Sequence, residues 1–217
     1  MKNKLYYRFT ASVLLLVLMF LGYTIKFYPD TVKPFDSAIQ NWAFSLRSDS
    51  MTSFLKFFTG IVNPISIIII MIVLILLFIW RKWYSESVFL AGNFILVSGI
   101  LNPILKYVYN RSRPDGVHLV HETTLSFPSG HAATSMVVFL SLFFIFSARL
   151  KTRSSKTILA IALGLIVLIV GFSRIYLGVH YPTDIIGGYL LASGCVLYAY
   201  PYYDAWRFQL RFKGEQK

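Results

Sequence analysis

The sequence is poor in cysteine, in charge and in acidic residues. Its single cysteine, Cys195, lies inside an apolar run, so the chain can form no intramolecular disulfide and its redox compartment is not indicated. Only 14% of the 217 residues are charged, where a soluble domain has about a quarter. No GxxxxGK phosphate loop is present, which argues against nucleotide hydrolysis. His118 and His121 lie three apart, but HETTL carries Leu125 where an HExxH zinc motif needs its second histidine, so no metal is expected. Internal repeats, low-complexity tracts and interdomain linkers are also missing, and a single domain over 1–217 is the simplest reading.

What the chain has in place of charge is apolar length. Hydrophobic residues make up 56% and the mean hydropathy is +0.63. A membrane-spanning helix needs roughly 20 mostly apolar residues. Six stretches qualify, near 9–25, 62–80, 88–107, 132–148, 157–175 and 185–203. The fourth is short and should begin at the polar residues before it. Lys2, Lys4 and Arg8 ahead of the first run resemble a signal peptide, but the run is long and no small-x-small cleavage site follows, so a retained anchor is expected. The expected fold is therefore all-α, with six spans in a bundle.

The net charge of +12 invites a nucleic-acid reading. The basic residues instead cluster at the ends of greasy runs, as membrane topology requires. With the N-terminus in the cytoplasm, the inner side collects Lys2, Lys4, Arg8, Arg81, Lys82, the basic run 149–156, Arg207, Arg211, Lys213 and Lys217 against Glu86, Asp204 and Glu215. Both termini are then cytoplasmic. The outer side holds Lys26, Lys33, Arg47, Lys56, Lys106, Arg111, Arg113 and Arg174, nearly balanced by Asp30, Asp36, Asp49, Asp115, Glu122 and Asp184.

Between the first two spans, Phe35, Ala38, Ile39, Trp42, Ala43 and Leu46 form one helical stripe, with Asp36, Gln40 and Arg47 off it. This spacing predicts an amphipathic helix over 34–47, either lying in the outer interface or packed on the bundle as a connector.

Three clusters fall at the outer helix ends. Lys106 closes the third run and Arg113-Pro114 follows in the loop; cations there would otherwise snorkel to headgroups. Pro128-Ser129-Gly130-His131 precedes the fourth run. It is a turn leading to a helix N-terminus, whose free N–H groups suit an anion, although Ser129 could be a plain N-cap. Ser173-Arg174 and His180 with Asp184 join the last two runs. Asp184, four residues on, can reach the imidazole if the turn is tight; otherwise it is an unrelated capping acid. Each cluster is modest alone. Together they describe three cations, a helix N-terminus and two histidines at one end of a bundle.

These residues resemble the type 2 phosphatidic acid phosphatase superfamily, whose signature reads KxxxxxxRP, PSGH, SRxxxxxHxxxD. Every fixed position is matched in order across 106–184. The resemblance implies a metal-independent, cofactor-free phosphatase with His180 as nucleophile, Asp184 orienting it and His131 as general acid and base. Lys106, Ser129, Gly130, Arg113 and Arg174 would hold the phosphate. It implies a phospholipid or polyprenyl phosphate substrate drawn from the bilayer, with phosphatidylglycerophosphate expected and undecaprenyl pyrophosphate the alternative. No nucleic acid and no obligate protein partner are expected. An anion or lipid transporter is the rival class, but binding alone needs no acid and nucleophile pair. Arg111 lies between signature positions and is expected to meet lipid phosphates. Gly99, Gly187 and Gly188 either permit close helix approach or leave space near the site. The Asn110-Arg111-Ser112 sequon lies inside the site, where a glycan would obstruct; read as incidental, it leans toward a bacterial source.

Overall fold

The computed structural model describes residues 3–216; Lys2 and Lys217, two of the inner cations, lie outside them. The described residues contain helices and loops and no strand. The order is α1 (Lys4–Phe27), α2 (Pro29–Ser45), α3 (Asp49–Ile61), α4 (Pro64–Trp80), α5 (Tyr84–Phe94), a π-helical stretch (Ile95–Leu101), α6 (Asn102–Tyr109), α7 (Gly130–Ser147), α8 (Arg153–Tyr176) and α9 (Pro182–Phe212). The starts follow local chemistry. Proline occupies the first turn of α2, α4, α6 and α9, where its missing N–H costs nothing. The side chains of Ser48, Ser129 and Thr152 cap α3, α7 and α8.

Among the described residues, five segments are long and apolar enough to cross a membrane: α1, Tyr84–Tyr109, α7, α8 and α9. The sixth expected span is α4 joined to α3 across a 50° bend. The expectation over 62–80 caught only the second half of that pair. The polar pattern of α3 hid its helix, although the Ser48 cap and Asp49 in its first turn are readable start signals. The fourth span begins at Gly130, among the polar residues as expected, and the last runs on to Phe212.

The third span is irregular for a physical reason. Pro103 cannot donate to the carbonyl one turn back and its ring crowds that carbonyl; the π-helical widening at Ile95–Leu101 absorbs the misfit.

Helix α9 packs against α1, α5 and α7. At one end of the bundle Tyr7 meets Tyr200 with ring centroids 5.0 Å apart, and Gln216 hydrogen-bonds Ser85 and the buried Glu86, which pairs with Arg149 at 2.6 Å. Both termini of the described chain lie there. The C-terminal ends of α6 and α8 and the N-terminal ends of α7 and α9 gather at the other end.

Helix α2 turns its stripe the way an interfacial helix does. Phe35, Trp42 and Leu46 are exposed, while Asp36, Gln40 and Ala43 are buried against the bundle. The polar face packs inward and most of the apolar stripe faces out, which suits a lipid boundary and opposes a connector packed through its apolar side. Ile39 and Ala43 are the exceptions and join a small cluster with Ile175 and Ile185.

The glycines divide. A Cβ on Gly187 would come within 2.4 Å of the Phe127 ring, and one on Gly188 within 2.7 Å of the Ser129 carbonyl oxygen. Both serve close packing of α9 against the segment leading into α7. Gly99 has nothing within 4 Å and leaves space. Overpacking a core costs about 1–3 kcal/mol. Gly188→Ala should therefore lower the thermal midpoint of the purified protein in detergent by several degrees, while Gly99→Ala should leave it within about a degree. Equal midpoints for the two variants would refute this division.

Candidate active site

His180 lies in the short link between α8 and α9 and is 1% exposed. Its Nδ1 is 3.3 Å from Asp184 Oδ2, one helical turn into α9. The same carboxylate oxygen accepts from the Tyr181 backbone N–H at 2.8 Å and from the Ser126 hydroxyl. On the other side of the ring, Arg113 Nη1 donates to Nε2 at 3.3 Å. A guanidinium can only donate and a carboxylate only accept. These neighbours assign the proton to Nδ1 and the lone pair to Nε2. Burial, and secondarily the charges of Arg113 and Arg174, holds the His180 pKa down at about 3 despite Asp184. The ring is neutral at neutral pH, with the Nε2 lone pair unprotonated.

A cavity of about 610 Å³ opens in front of it. Its polar half is lined by Lys106, Arg113, Glu122, Gly130, His131 and His180; Val62, Pro64, Ile67, Ile68 and Phe94 give an apolar half between α4 and the third span. Gly99 lines it too, so the space it leaves belongs to this cavity.

Glu122 is the centre of the polar half, and nothing in the sequence pattern marked it. Its carboxylate pairs with Arg174 Nη2, with Arg113 Nη2 at 3.5 Å, and approaches His131 Nδ1 to 4.0 Å. Arg174 is 1% exposed. Its Nη1 donates to Thr59 Oγ1 at 3.0 Å, while its buried Nε has no partner among the described residues. Lys106 Nζ donates to the Leu125 carbonyl and to Thr124 Oγ1, and Arg113 Nε to the Thr124 carbonyl at 2.7 Å. His131 Nε2 donates to Asn63 Oδ1 at 3.1 Å, at the bend between α3 and α4. Thr59 and Asn63 thus reach the site from the helix pair that the apolar-run reading only half detected.

Lys106, Arg113, Gly130, His131 and His180 share this cavity. Asp184 is buried behind His180, and Arg174 meets the cavity through Glu122. Ser129 departs from the phosphate-cradle expectation: it is fully buried and its hydroxyl caps α7, accepting from the Ala132 N–H at 3.5 Å. Arg111 does not face lipid phosphates as expected. It bridges Asp184 Oδ1 and Asp36 Oδ2, each at 2.7 Å, because two buried carboxylates need a cation. His118 Nε2 donates to the Pro114 carbonyl at 2.7 Å, within its own loop.

Fold and site together define a multi-pass helical membrane protein with a His–Asp dyad facing a cavity lined by cationic side chains. The PAP2 superfamily model matches residues 87–208. A phosphatidylglycerophosphatase B of Bacillus subtilis is 32% identical over 182 residues, covering 81% of this chain and 87% of that protein. The chain belongs to the PAP2 superfamily. An undecaprenyl-diphosphatase, BcrC, of Bacillus subtilis is 31% identical over 125 residues, 54% of this chain and 60% of its own. The crystal structure of a transmembrane PAP2-type phosphatidylglycerolphosphate phosphatase from Bacillus subtilis superposes with a TM-score of 0.79 at 26% identity, covering 93% of this chain and 98% of that one.

The depressed His180 pKa has a stability consequence. Between about pH 3 and the ordinary histidine value of 6.5, the unfolded chain binds a proton that the folded site refuses. Folding stability contributed by this residue therefore falls as pH drops through that window. The thermal midpoint of the wild type should decline more steeply from pH 6.5 to 5 than that of His180→Asn, which has no such proton to refuse. Parallel declines would show that His180 titrates near its ordinary value.

Proposed function

We propose that this protein hydrolyses the phosphomonoester of a membrane lipid, phosphatidylglycerophosphate by preference, through a phosphohistidine on His180. The supporting observation is the orientation of the dyad: the Nε2 lone pair sits beside a cavity whose cations already hold an anion, the Glu122 carboxylate. A phosphate that replaces Glu122 meets Arg113, Arg174 and Lys106, with the Gly130 end of α7 adding its helix dipole.

The chemistry then needs positioning and charge stabilisation. Nε2 forms a bond to phosphorus as the bond to the lipid oxygen breaks in line. Asp184 stabilises the imidazolium that results. Asn63 holds the Nε2–H of His131, leaving Nδ1 to exchange protons with the reacting oxygens. The negative charge of the bound phosphate lets His131 carry a second proton, on Nδ1. That proton goes to the departing lipid oxygen as its bond to phosphorus breaks, and the neutral Nδ1 then takes one from the water that attacks phosphorus while the electron pair of the phosphorus–nitrogen bond returns to His180. Three fixed cations neutralise the equatorial oxygens in the role metal ions play elsewhere.

The apolar half of the cavity supports a lipid substrate whose tail stays in hydrocarbon while its head enters between α4 and the third span. Similarity to phosphatidylglycerophosphatase B over most of both chains favours phosphatidylglycerophosphate. Similarity to the undecaprenyl-diphosphatase over part of the chain keeps undecaprenyl pyrophosphate as the alternative. The bias of basic residues toward the end holding the described termini supports a cytoplasmic location for that end and an extracytoplasmic site.

His180→Ala should abolish phosphate release by protein purified in detergent. Arg174→Ala should reduce it at least 10²–10³-fold, the range seen when an oxyanion donor is lost. Both are read on a panel of phosphorylated lipids with chelator present. Near wild-type turnover by His180→Ala would remove the nucleophile assignment, activity restored by magnesium would remove the metal-free mechanism, and no release at all by the wild type would favour a transporter. Glu122→Gln removes the internal competitor, so orthophosphate and vanadate should inhibit about tenfold more tightly. Unchanged inhibition constants would mean that Glu122 does not share the phosphate's place.

A further inference from the structure

We infer that Arg111 and Asp36 are positioning residues for the nucleophile, so that the interfacial helix α2 is an integral part of the catalytic assembly. This rests on the histidine mechanism above and adds two residues outside the signature. Asp184 has two oxygens with different tasks. Oδ2 faces His180, Ser126 and the Tyr181 N–H. Oδ1 accepts from Arg111 Nη1 at 2.7 Å, the contact that resists rotation of the carboxylate about its own axis. Arg111 is held on three sides. Its guanidinium stacks 4.0 Å above the Tyr181 ring, Nη1 also donates to Thr183 Oγ1 at 2.7 Å, and Nη2 donates to Asp36 Oδ2 at 2.7 Å.

Asp36 is 1% exposed and completes the chain from α2. It accepts from the Thr183 backbone N–H at 2.9 Å and from its hydroxyl at 2.8 Å, which ties α2 to the first turn of α9. The order Asp36, Arg111, Asp184, His180 alternates negative, positive, negative and neutral. Arg111 keeps Asp184 an anion in a buried setting, and Asp36 keeps Arg111 from moving toward the phosphate. Bidentate bridging of two carboxylates is a task for a planar guanidinium; an ammonium serves one carboxylate well and the other poorly. Neither Arg111 nor Asp36 lines the cavity that holds His180, so neither contacts the substrate phosphate. A separate cavity of about 560 Å³ on the α2 side is lined by Arg111, Asp36 and Tyr181, and gives small solutes access to this pair.

A residue that acts only through Asp184 and His180 changes kcat and leaves phosphate affinity alone. Arg111→Ala should lower kcat about 10²-fold with KM and the vanadate inhibition constant within twofold of wild type. Arg111→Lys should fall between, and Asp36→Asn should lower kcat about tenfold. Asp36→Asn should add little in the Arg111→Ala background, because its effect passes through Arg111. Guanidinium ion supplied to Arg111→Ala should restore part of kcat at concentrations that leave the wild type unaffected, a response that loss of folded protein cannot produce. If Arg111→Ala does not fold, Arg111→Lys and Asp36→Asn carry the same kcat-against-KM comparison. A rise in KM or in the vanadate constant with kcat preserved would make Arg111 a substrate contact and overturn the inference, as would wild-type kcat in these variants. Failure of the wild type itself to release phosphate from lipid would defeat the histidine mechanism instead.

Discussion

The backbone contact between α9 and the start of α7 is the constraint on which the rest of the site depends. Gly188 lies so close to the Ser129 carbonyl and the Ala133 N–H that a Cβ would stand 2.7 and 2.9 Å from them. Just above, the Ser129 N–H donates to the Asp184 carbonyl at 3.0 Å. The first turn of α7, which carries His131, is thereby pinned to the first turn of α9, which carries Asp184. His180 precedes that turn by a short link. Two histidines 49 positions apart in sequence come to face one cavity because two helix N-termini meet where no side chain intervenes.

Electrostatics at this end of the bundle is arranged in two tiers. In front of His180, cations outnumber acids, and the single carboxylate of Glu122 serves Arg113 and Arg174 together. Behind it, Asp184 and Asp36 flank Arg111. The front tier suits an anion that comes and goes, since Glu122 is part-exposed and sits on a loop. In the rear tier both carboxylates are buried and each accepts several hydrogen bonds, as a group that must not move should. Burial depresses the basicity of His180 while the rear tier sets its tautomer; the two effects together yield a neutral imidazole with its lone pair forward.

The irregular elements serve the cavity. The α3–α4 junction delivers Asn63 to His131 and Thr59 to Arg174. The π-helical stretch and Gly99 leave room beside α4. Helix α2 carries its exposed apolar residues outward and its buried acid inward, so the feature that makes it interfacial also lets Asp36 reach Arg111 and Thr183.

Much was legible in the order of residues alone. Apolar runs about as long as a bilayer is thick dictate spans, and the spacing of Lys106, Arg113, His131, Arg174, His180 and Asp184 matches the family's signature. These are local or periodic properties, and one-dimensional patterns record them well. The partners of those residues were not legible. Glu122 looked like one outer acid among six, Arg111 like a cation for lipid headgroups, and Asp36 like the polar side of a surface helix. Ser129 matched its motif yet turned out to be a buried cap, and α3 was too polar to register as part of a span. Which acid neutralises which cation, and whether a glycine closes a contact or opens a space, depends on helices distant in sequence becoming neighbours. Only their packing decides that, because the energy of a buried charge is set by what stands within a few ångströms of it.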